Sequence, residues 1–364
     1  MTQRILILGG RGRIGASVAQ DLLHYTDATV VITSRQPVAS WVLYSERVTP
    51  LQLDIADQAA LKTAIASSDL VIHCAGPFFY QEPVVLETCI QLGVTYVDVS
   101  DTVPFVRRAQ ALHEVAVERQ VTAVLSTGVF PGISNSLAKL CLESLDDRDE
   151  LHLSYIVGGS GGAGIGVLRT TFLGLMHPFK ALINGEWVTV KPYSDREAID
   201  FPPPFHRGYV YWYEVPETVS LAELFPIKTV ITKFGSVPDL YNRLTWITAH
   251  VFPKAWLHNP NFREAMAHIS YRMTRVSDRF GGIDIAIRVQ VTGTKDGKPC
   301  KVLSTIVHPN TAIAAGLGTG SVAQLILSGH LQKPGVWSVE HVLPTEQFLQ
   351  TMDSREISIN LTVQ

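Results

Sequence analysis

The chain has 364 residues, of which 46% are hydrophobic and 17% charged, which is enough to bury a full core in two domains. Its formal charge of −3, without a long basic run, argues against nucleic acid as a partner and favours a small-molecule substrate. The four cysteines lack Cys-x-x-Cys spacing, so we expect neither a disulfide framework nor a metal site. Together with an N-terminus that enters a strand pattern at once, without a secretory signal, they predict a cytoplasmic location.

The first predicted elements are a strand, RILIL, a glycine turn and a helix, ASVAQDLLHY. The turn contains the spacing Gly10-x-Gly12-x-x-Gly15, which places backbone N–H groups at a helix N-terminus, where they bind the pyrophosphate of a dinucleotide. Arg11 and Arg13 either add to the phosphate field or are simply solvated. We expect cofactor contacts from the whole turn, which comprises Gly9, Gly10, Arg11, Gly12, Arg13, Ile14 and Gly15.

The second predicted strand, ATVVITSR, ends in Ser34 and Arg35, about 20 residues beyond the glycine turn, where a dinucleotide site reads the ribose. An acidic residue there would accept hydrogen bonds from the 2′-hydroxyl and repel a 2′-phosphate. Ser34 and Arg35 instead offer donors and positive charge, which favours NADP(H) over NAD(H). The alternative for Arg35 is an ordinary surface arginine.

Further strands and helices alternate up to about residue 132. The third strand, RVTPLQLDIAD, ends at Asp54, which either bonds the adenine amine or caps the helix DQAALKTAIA. The fourth, DLVIHCAGPF, breaks at Ala75, Gly76 and Pro77, and VTYVDVSD and VTAVLSTGVFPG follow. This alternation predicts an α/β fold of the Rossmann type, with a parallel sheet that is covered on both faces.

Ligands of such sheets lie beyond the carboxyl ends of the strands, so Gly76, Pro77, Asp98, Asp101 and Gly128 are site candidates. For a proton donor we favour Tyr80 and Asp101, each shortly after a strand end, although either could be structural. His73 is a poorer candidate because it lies within the apolar strand DLVIH.

The middle of the chain has a different pattern. YVYWYEV and IAIRVQVTG alternate as half-buried antiparallel strands do, and the second is followed by an Asp-Gly turn, which indicates a mixed sheet. Such a domain would form the substrate platform and a possible homodimer interface. Leu240, Leu244, Ile247 and Val251 form one helical stripe, which is either core or the lining of an apolar pocket.

Two other glycine-rich stretches repeat the dinucleotide spacing. We interpret GGSGGAGIG, residues 158–166, as a mobile loop, and Gly318 and Gly320 as close packing positions within a helix. From Val302 to Gln332 there is no Asp, Glu, Lys or Arg. Because His308, Asn310, Gln324 and several glycines dilute this run, we expect a buried strand and helix and no integral membrane segment.

LGGRGRIG, CAGPFFYQEPVV, YVDVSD, GVFPGISNSLA and GVWSVEHVLP resemble, in this order, the saccharopine dehydrogenase-like oxidoreductases. The resemblance implies an NADP-binding Rossmann domain in two parts, residues 1–132 and 305–364. A substrate or dimerisation α/β domain at 133–304 would separate these two parts. The resemblance also implies cofactor contacts from the glycine turn, Ser34, Arg35, and the turn formed by Ala75, Gly76 and Pro77.

The resemblance implies an NADPH-dependent oxidoreductase that transfers hydride to a C=N, C=O or activated C=C bond. A substrate with several carboxylates would need clustered basic residues, whereas Arg169, Arg196, Arg207 and Arg243 are dispersed. We therefore expect a small, weakly charged metabolite. The alternative is a non-catalytic NADP(H)-binding protein that recognises a partner or a lipid.

Overall fold

The computed structural model describes residues 2–36, 45–162 and 164–364, except for the side chains of residues 280 and 281. The first elements in chain order are β1 (Arg4–Leu8), α1 (Arg13–Tyr25), β2 (Thr29–Ser34), β3 (Val48–Gln52), α2 (Gln58–Ala66), β4 (Leu70–His73), a 3-10 turn (Phe78–Tyr80), α3 (Val84–Leu92), β5 (Thr95–Asp98), α4 (Val103–Gln110), α5 (His113–Glu118), β6 (Thr122–Leu125) and α6 (Ile133–Glu143).

The middle elements are β7 (Asp147–Gly158), α7 (Ile165–Gly174), β8 (Phe179–Ile183), β9 (Glu186–Val190), β10 (Glu197–Asp200), β11 (Arg207–Trp212), α8 (Glu217–Leu224), β12 (Thr229–Val237), α9 (Asp239–His250), α10 (Lys254–His258), α11 (Pro260–Gly281), β13 (Ile285–Lys295) and β14 (Lys298–His308). The last elements are α12 (Thr311–Leu327), β15 (Gly335–Ser338), α13 (Val339–Val342), α14 (Thr345–Asp353) and β16 (Asn360–Val363).

The first compact unit, Met1–Ile133 with Ala312–Met352, is built on a parallel sheet in the order β3-β2-β1-β4-β5-β6-β15. Every neighbouring pair in it is parallel. Strands β1, β4 and β6 have almost no exposed side chains, as expected where helices cover both faces of a sheet. The predicted Rossmann fold is confirmed, with β3 ending at Gln52 and not at Asp54.

Helix α12 packs against this unit through its glycines. A Cβ on Gly316 would lie 2.5 Å from the Ser17 side chain in α1, and one on Gly318 would lie 2.4 Å from the carbonyl oxygen of Gly128. The packing interpretation of this glycine-rich helix is therefore correct. Within the part of the chain that the structure describes, no helix combines the length and apolar character needed to span a bilayer.

The second compact unit, Ser134–Thr311 with Asp353–Gln364, contains a nine-stranded mixed sheet. Its main path runs β10-β11-β12-β7-β13-β14-β16; β12 and β7 are parallel, and the other neighbours on this path are antiparallel. Asp296 and Gly297 join β13 to β14 with φ values of 51° and 72°, as the two-residue Asp-Gly hairpin requires.

The glycine run at 158–166 follows β7 and is fixed by Asp278. The Ser160 backbone N–H and hydroxyl donate to the two carboxylate oxygens of Asp278 at 2.7 and 2.6 Å. Gly159 takes φ +51°, and a Cβ there would collide with the same carboxylate. Ala163, part of the predicted mobile loop, lies outside the described residues, and the mobility itself stays a prediction.

The stripe on α9 is not core, which was one of its two expected roles. Leu240, Leu244, Ile247 and Val251 are 56, 38, 38 and 62% exposed. Side chains this exposed are not core, and the pocket-lining role stays a prediction. The polar residues Asn242 and Thr248 are the buried ones, because the sheet-facing side of α9 is held by hydrogen bonds.

The two units divide the chain at 133/134 and 311/312, whereas the predicted domains divide it at 132/133 and 304/305. The observed and predicted divisions differ most for the last residues of the chain. Residues 353–364, assigned from sequence to the first domain, lie in the second unit because β16 pairs antiparallel with β14.

Candidate functional site

Two positions in the glycine turn between β1 and α1 have no room for a side chain. A Cβ on Gly10 would lie 2.1 Å from Ile32 Cγ2 in β2, and one on Gly15 would lie 2.5 Å from the carbonyl oxygen of Gly9. Gly12 caps α1, and its N–H donates to the Gly9 carbonyl at 2.9 Å. The turn therefore places the N-terminus of α1 at the carboxyl end of β1, where a pyrophosphate is bound in this fold.

A cleft of about 550 Å³ lies beside the glycine turn, and it is lined by Arg11, Gly12, Ser34, Arg35 and Gln36. Arg11 Nη1 donates to Gln36 Oε1 at 3.1 Å, and the Gln36 N–H donates to Ser34 Oγ at 3.2 Å. None of these five residues is acidic, and two carry guanidinium groups. The cleft has the charge and the donors that a 2′-phosphate needs.

Asp54 is not the N-cap of α2, which was one of its two expected roles. The N-cap of α2 is Asp57, whose carboxylate accepts from the N–H groups of Ala59 and Ala60. Asp54 is exposed, and its carboxylate accepts from the Ala56 N–H at 3.0 Å. The N-cap interpretation of Asp54 is wrong because Asp57, and not Asp54, directly precedes the helix, and the adenine contact stays a prediction.

The turn of Ala75, Gly76 and Pro77 follows β4 and touches the glycine turn. A Cβ on Gly9, which has φ +73°, would lie 2.9 Å from the Ala75 Cα atom. The Gly76–Pro77 peptide bond is cis. Because the two turns are this close, a dinucleotide on the first would extend along the second.

A ring of hydrogen bonds holds the Ala75–Pro77 turn from inside. The Ala75 N–H donates to His73 Nδ1 at 3.3 Å, and His73 Nε2 lies 3.0 Å from Gln81 Oε1. Gln81 Nε2 then donates to the Ala75 and Pro77 carbonyls at 2.7 and 3.1 Å. Burial lowers the pKa of His73 to about 4, so its imidazole is neutral at pH 7, with Nδ1 accepting and Nε2 donating a hydrogen bond.

Gln81 is the residue that sequence reasoning missed. Its only signal was an amide side chain directly after the apolar PFFY, which does not reveal which carbonyls it bonds. Arg108 fixes it further, since Nη2 donates to the Gln81 carbonyl at 2.7 Å and Nε lies 3.3 Å from the Glu82 carboxylate.

Asp98 was a site candidate, but its carboxylate is fully buried. Its Oδ1 accepts from the Ser100 N–H, the Ser100 hydroxyl and the Ser126 N–H at 2.7 to 3.0 Å, and Oδ2 accepts from the Tyr96 hydroxyl at 3.1 Å. Burial raises the pKa of Asp98, and these hydrogen bonds oppose that rise. Asp98 therefore fixes the carboxyl ends of β5 and β6.

The two favoured proton donors lie after the adjacent strands β4 and β5. Tyr80 ends the 3-10 turn, is 58% exposed, and contacts the Phe79 ring edge to face. Asp101 is half-buried and directly precedes Thr102, the N-cap residue of α4. Their catalytic roles stay predictions.

In the second unit, three of the four dispersed arginines are paired with carboxylates. Arg169 Nε donates to Glu264 at 2.8 Å. Arg196 Nη2 and Arg243 Nε both reach Asp239 Oδ2, at 3.1 and 3.3 Å. Among the described residues, no group of three or more His, Cys, Asp or Glu is arranged to hold a metal ion.

The saccharopine dehydrogenase NADP-binding domain family matches residues 5–124. Carboxynorspermidine synthase of Vibrio cholerae is 24% identical over 79% of this chain and 75% of its own length. Carboxyaminopropylagmatine dehydrogenase of Synechocystis is 22% identical over 94% of this chain and 93% of its own length.

Among solved structures, apo saccharopine dehydrogenase (L-Glu forming) of Saccharomyces cerevisiae matches over the whole of both chains, with a TM-score of 0.69 and 15% identity, which shows a shared fold. The family match covers the glycine turn, the Ser34–Arg35 cleft and the Ala75–Pro77 turn, and the cofactor contacts of these residues stay predictions. Residues 5–124 therefore form an NADP-binding domain of the saccharopine dehydrogenase type, and the chain is an NAD(P)-dependent oxidoreductase that resembles the saccharopine dehydrogenase-like proteins.

Proposed function

We propose that this protein uses NADPH to reduce the C=N bond of an imine, formed from a small amine and a carbonyl compound, to a secondary amine. The observation that carries the proposal is the basic cleft at Ser34 and Arg35 beside the glycine turn. Both curated relatives are named for carboxylated amines, which favours C=N over the C=O and C=C bonds also expected from sequence.

NADPH, when bound, supplies the hydride for the imine carbon and leaves as NADP⁺. The chain's own residues must orient the imine and deliver one proton to its nitrogen, which balances the reduction. Tyr80 and Asp101 are our candidates, since they follow neighbouring strands at the carboxyl edge of the sheet. The Ala75–Pro77 turn, held by Gln81, would support the cofactor beside them.

We propose further that the substrate is weakly charged. Arg169, Arg196 and Arg243 already face carboxylates of this chain, and Arg196 also lies over the Tyr209 ring at 3.4 Å. Arginines used in this way are poorly placed to bind several substrate carboxylates as well. Efficient turnover of saccharopine would contradict this part of the proposal.

The experiment incubates the protein with NADPH and pairs of amines and carbonyl compounds, and follows the loss of 340 nm absorbance. NADPH carrying deuterium at both C4 positions should place one deuterium in a secondary amine detected by mass spectrometry. Each amine and each carbonyl alone is the control. Turnover of a carbonyl without any amine would identify a carbonyl reductase and contradict the proposal, as would the absence of label in any amine.

The proton donors are tested in the same assay with Tyr80→Phe and Asp101→Asn. Loss of one general acid is expected to lower kcat by about 10²–10⁴-fold while NADPH affinity stays unchanged. If both variants turn over at the normal rate, the proton comes from another group.

The predicted cytoplasmic location belongs to this proposal, and its support is that all four cysteines are free thiols. Burial raises the pKa of Cys89 and Cys141, the latter to about 12, so these two thiols are unreactive packing groups. The homodimer stays a prediction, which sedimentation velocity tests.

A further inference from the structure

Exposed apolar side chains are concentrated in one helical segment of the second unit. Among the described residues, eight of the sixteen large apolar side chains that are exposed lie between residues 239 and 281, in α9, α10 and α11. Six of them follow one another along α9 and α10, namely Leu240, Leu244, Trp246, Ile247, Val251 and Trp256. We call these six side chains the apolar surface.

The α9 part of this surface is a continuous stripe. Spacings of four, seven and eleven residues place Leu244, Ile247 and Val251 on the same side of the helix as Leu240. Arg243 and Trp246 lie towards one edge of this stripe and are exposed, whereas Thr248 lies at its other edge and is buried, and the buried Asn242 lies on the opposite side. The helix is therefore amphipathic, with its apolar side facing solvent.

The apolar surface continues to α10 and α11. Trp256 packs against the Phe252 and Phe262 rings, with centroids 5.8 and 5.5 Å apart, and still leaves 52% of its side chain exposed. Tyr241 joins α9 to α11, since its hydroxyl donates to the Met273 carbonyl and to Ser277 Oγ at 3.2 and 2.8 Å.

The charge of this segment is opposite to that of the rest of the chain. Residues 239–281 hold six Lys or Arg and three Asp or Glu, a formal charge of +3, so the other residues carry −6. Lys254, Arg272, Arg275 and Arg279 are exposed, and Arg272, Arg275 and Arg279 share the outer side of α11 with Ile269 and Val276. An acidic protein that places a basic, tryptophan-containing apolar surface on one set of helices has the features of an interfacial membrane site.

We propose that α9–α11 bind the surface of an anionic lipid bilayer, with the apolar surface inserted among the lipid headgroups and the arginines of α11 facing lipid phosphates. Tryptophan is favoured at this depth because its ring is apolar and its N–H reaches the headgroups. Basic residues beside an apolar stripe add electrostatic attraction to anionic lipids. The enzyme would then work at a membrane surface, without a spanning helix.

The test is flotation of the full-length protein with vesicles of phosphatidylcholine alone and with 30% phosphatidylglycerol. We expect flotation with the anionic vesicles, much less with the neutral ones, and a decrease as salt rises from 50 to 500 mM. Arg275→Gln should weaken binding about fivefold, as loss of one basic group near a charged bilayer does.

Two exposed tryptophans give a matched pair of variants. Trp246 lies in the apolar surface and Trp187 lies in β9, and they are 42 and 44% exposed. Trp246→Ala should weaken anionic vesicle binding about fivefold, while Trp187→Ala should leave it unchanged. Both variants should keep the wild-type melting temperature and NADPH affinity, because neither side chain is buried and neither lies in the NADP-binding domain.

Three outcomes would overturn the proposal. The first is no flotation with either kind of vesicle, and the second is equal loss of binding in both tryptophan variants. The third is self-association in sedimentation velocity that Trp246→Ala abolishes and Trp187→Ala does not, without vesicle binding, since the surface would then join two copies of the chain.

Discussion

At the scale of single residues, we expect Arg35 to determine which dinucleotide binds. Its guanidinium lines the cleft with Arg11 and Ser34, and it is exposed rather than committed to the core. If it binds the 2′-phosphate, Arg35→Ala should weaken NADPH binding by about 1.5–3 kcal/mol, the range for hydrogen bonds to charged groups. NADH, which lacks this phosphate, should bind as before.

Isothermal titration of both cofactors measures this difference directly. Arg35→Lys is the matched control, because it keeps the charge but loses the bidentate geometry, and it should retain part of the preference. Equal weakening for both cofactors would show that Arg35 supports the cleft and does not read the phosphate.

We expect Gln81 to affect cofactor binding through the turn that it holds. Gln81→Leu would leave the Ala75 and Pro77 carbonyls without their side-chain donor, which should lower the free energy of unfolding by about 1–3 kcal/mol. NADPH should also bind more weakly, because the turn beside Gly9 is less fixed. Denaturant titration and NADPH titration measure the two effects, and normal values in both would show that the ring of hydrogen bonds has no positioning role.

His73 makes the stability of the protein depend on pH. Burial lowers its pKa from 6.5 to about 4 in the folded protein, so the unfolded chain takes up a proton in this interval that the folded chain does not. The free energy of unfolding is therefore unaffected by His73 above pH 6.5. It decreases as the pH falls towards 4, by about 3 kcal/mol in total. Denaturant titrations between pH 4 and 7 should show a shallower decline for His73→Asn, and equal slopes would contradict the assignment.

At the scale of elements, the glycines of α12 fix how closely this helix lies against the rest of the first unit. A Cβ on Gly318 would lie 2.4 Å from the Gly128 carbonyl oxygen, which is backbone and cannot rotate away. Gly318→Ala should therefore lower the melting temperature by several degrees, although alanine is the better helix former.

Gly166, in α7, is the control for this substitution, because nothing lies within 4 Å of a Cβ built there. Gly166→Ala should leave the melting temperature unchanged or slightly higher. A Gly318→Ala variant that is as stable as Gly166→Ala would show that α12 can move outward without cost.

The elements of the second unit also explain why pattern reasoning failed on α9. Its stripe has the period of a core helix, and burial is what that period normally indicates. Burial, however, depends on which side of the helix meets the sheet, and Asn242 reverses the orientation. Its amide donates to the Tyr209 and Ser236 carbonyls at 3.2 and 3.0 Å and accepts from the Tyr193 hydroxyl at 2.7 Å.

At the scale of the whole molecule, we infer that the chain after residue 310 completes the first domain. Strand β15 adds to the parallel sheet beside β6, and α12 packs on α1 and the Gly128 turn. A protein that ends at Asn310 keeps β14 but loses both elements, so it should not fold to a soluble, NADPH-binding form.

A protein that ends at Met352 is the matched control. It lacks only residues 353–364, which include the exposed edge strand β16, and it should still bind NADPH with normal affinity. Normal binding by the shorter protein as well would refute the interrupted-domain arrangement.

The sequence by itself determined the NADP-binding domain, because its signals are local. A strand, a glycine turn and a helix occupy 22 consecutive residues, and the Ser34–Arg35 pair follows at a fixed distance along the next strand. The parallel sheet follows from the alternation of strands and helices, which is visible in the sequence. Backbone sterics dictate these features, so they can be predicted without knowing what packs against them.

The tertiary structure decided the features that depend on contacts between distant segments. Only the packed chain shows that Asp98 is turned inward to fix two strand ends, that Gln81 closes a ring around Ala75, and that β16 joins the second sheet. It also decided that the apolar side of α9 faces solvent. A hydrogen bond needs a partner, and a helix side is buried only by a neighbouring element. Both depend on a second, distant segment of the chain, which one stretch of sequence does not contain.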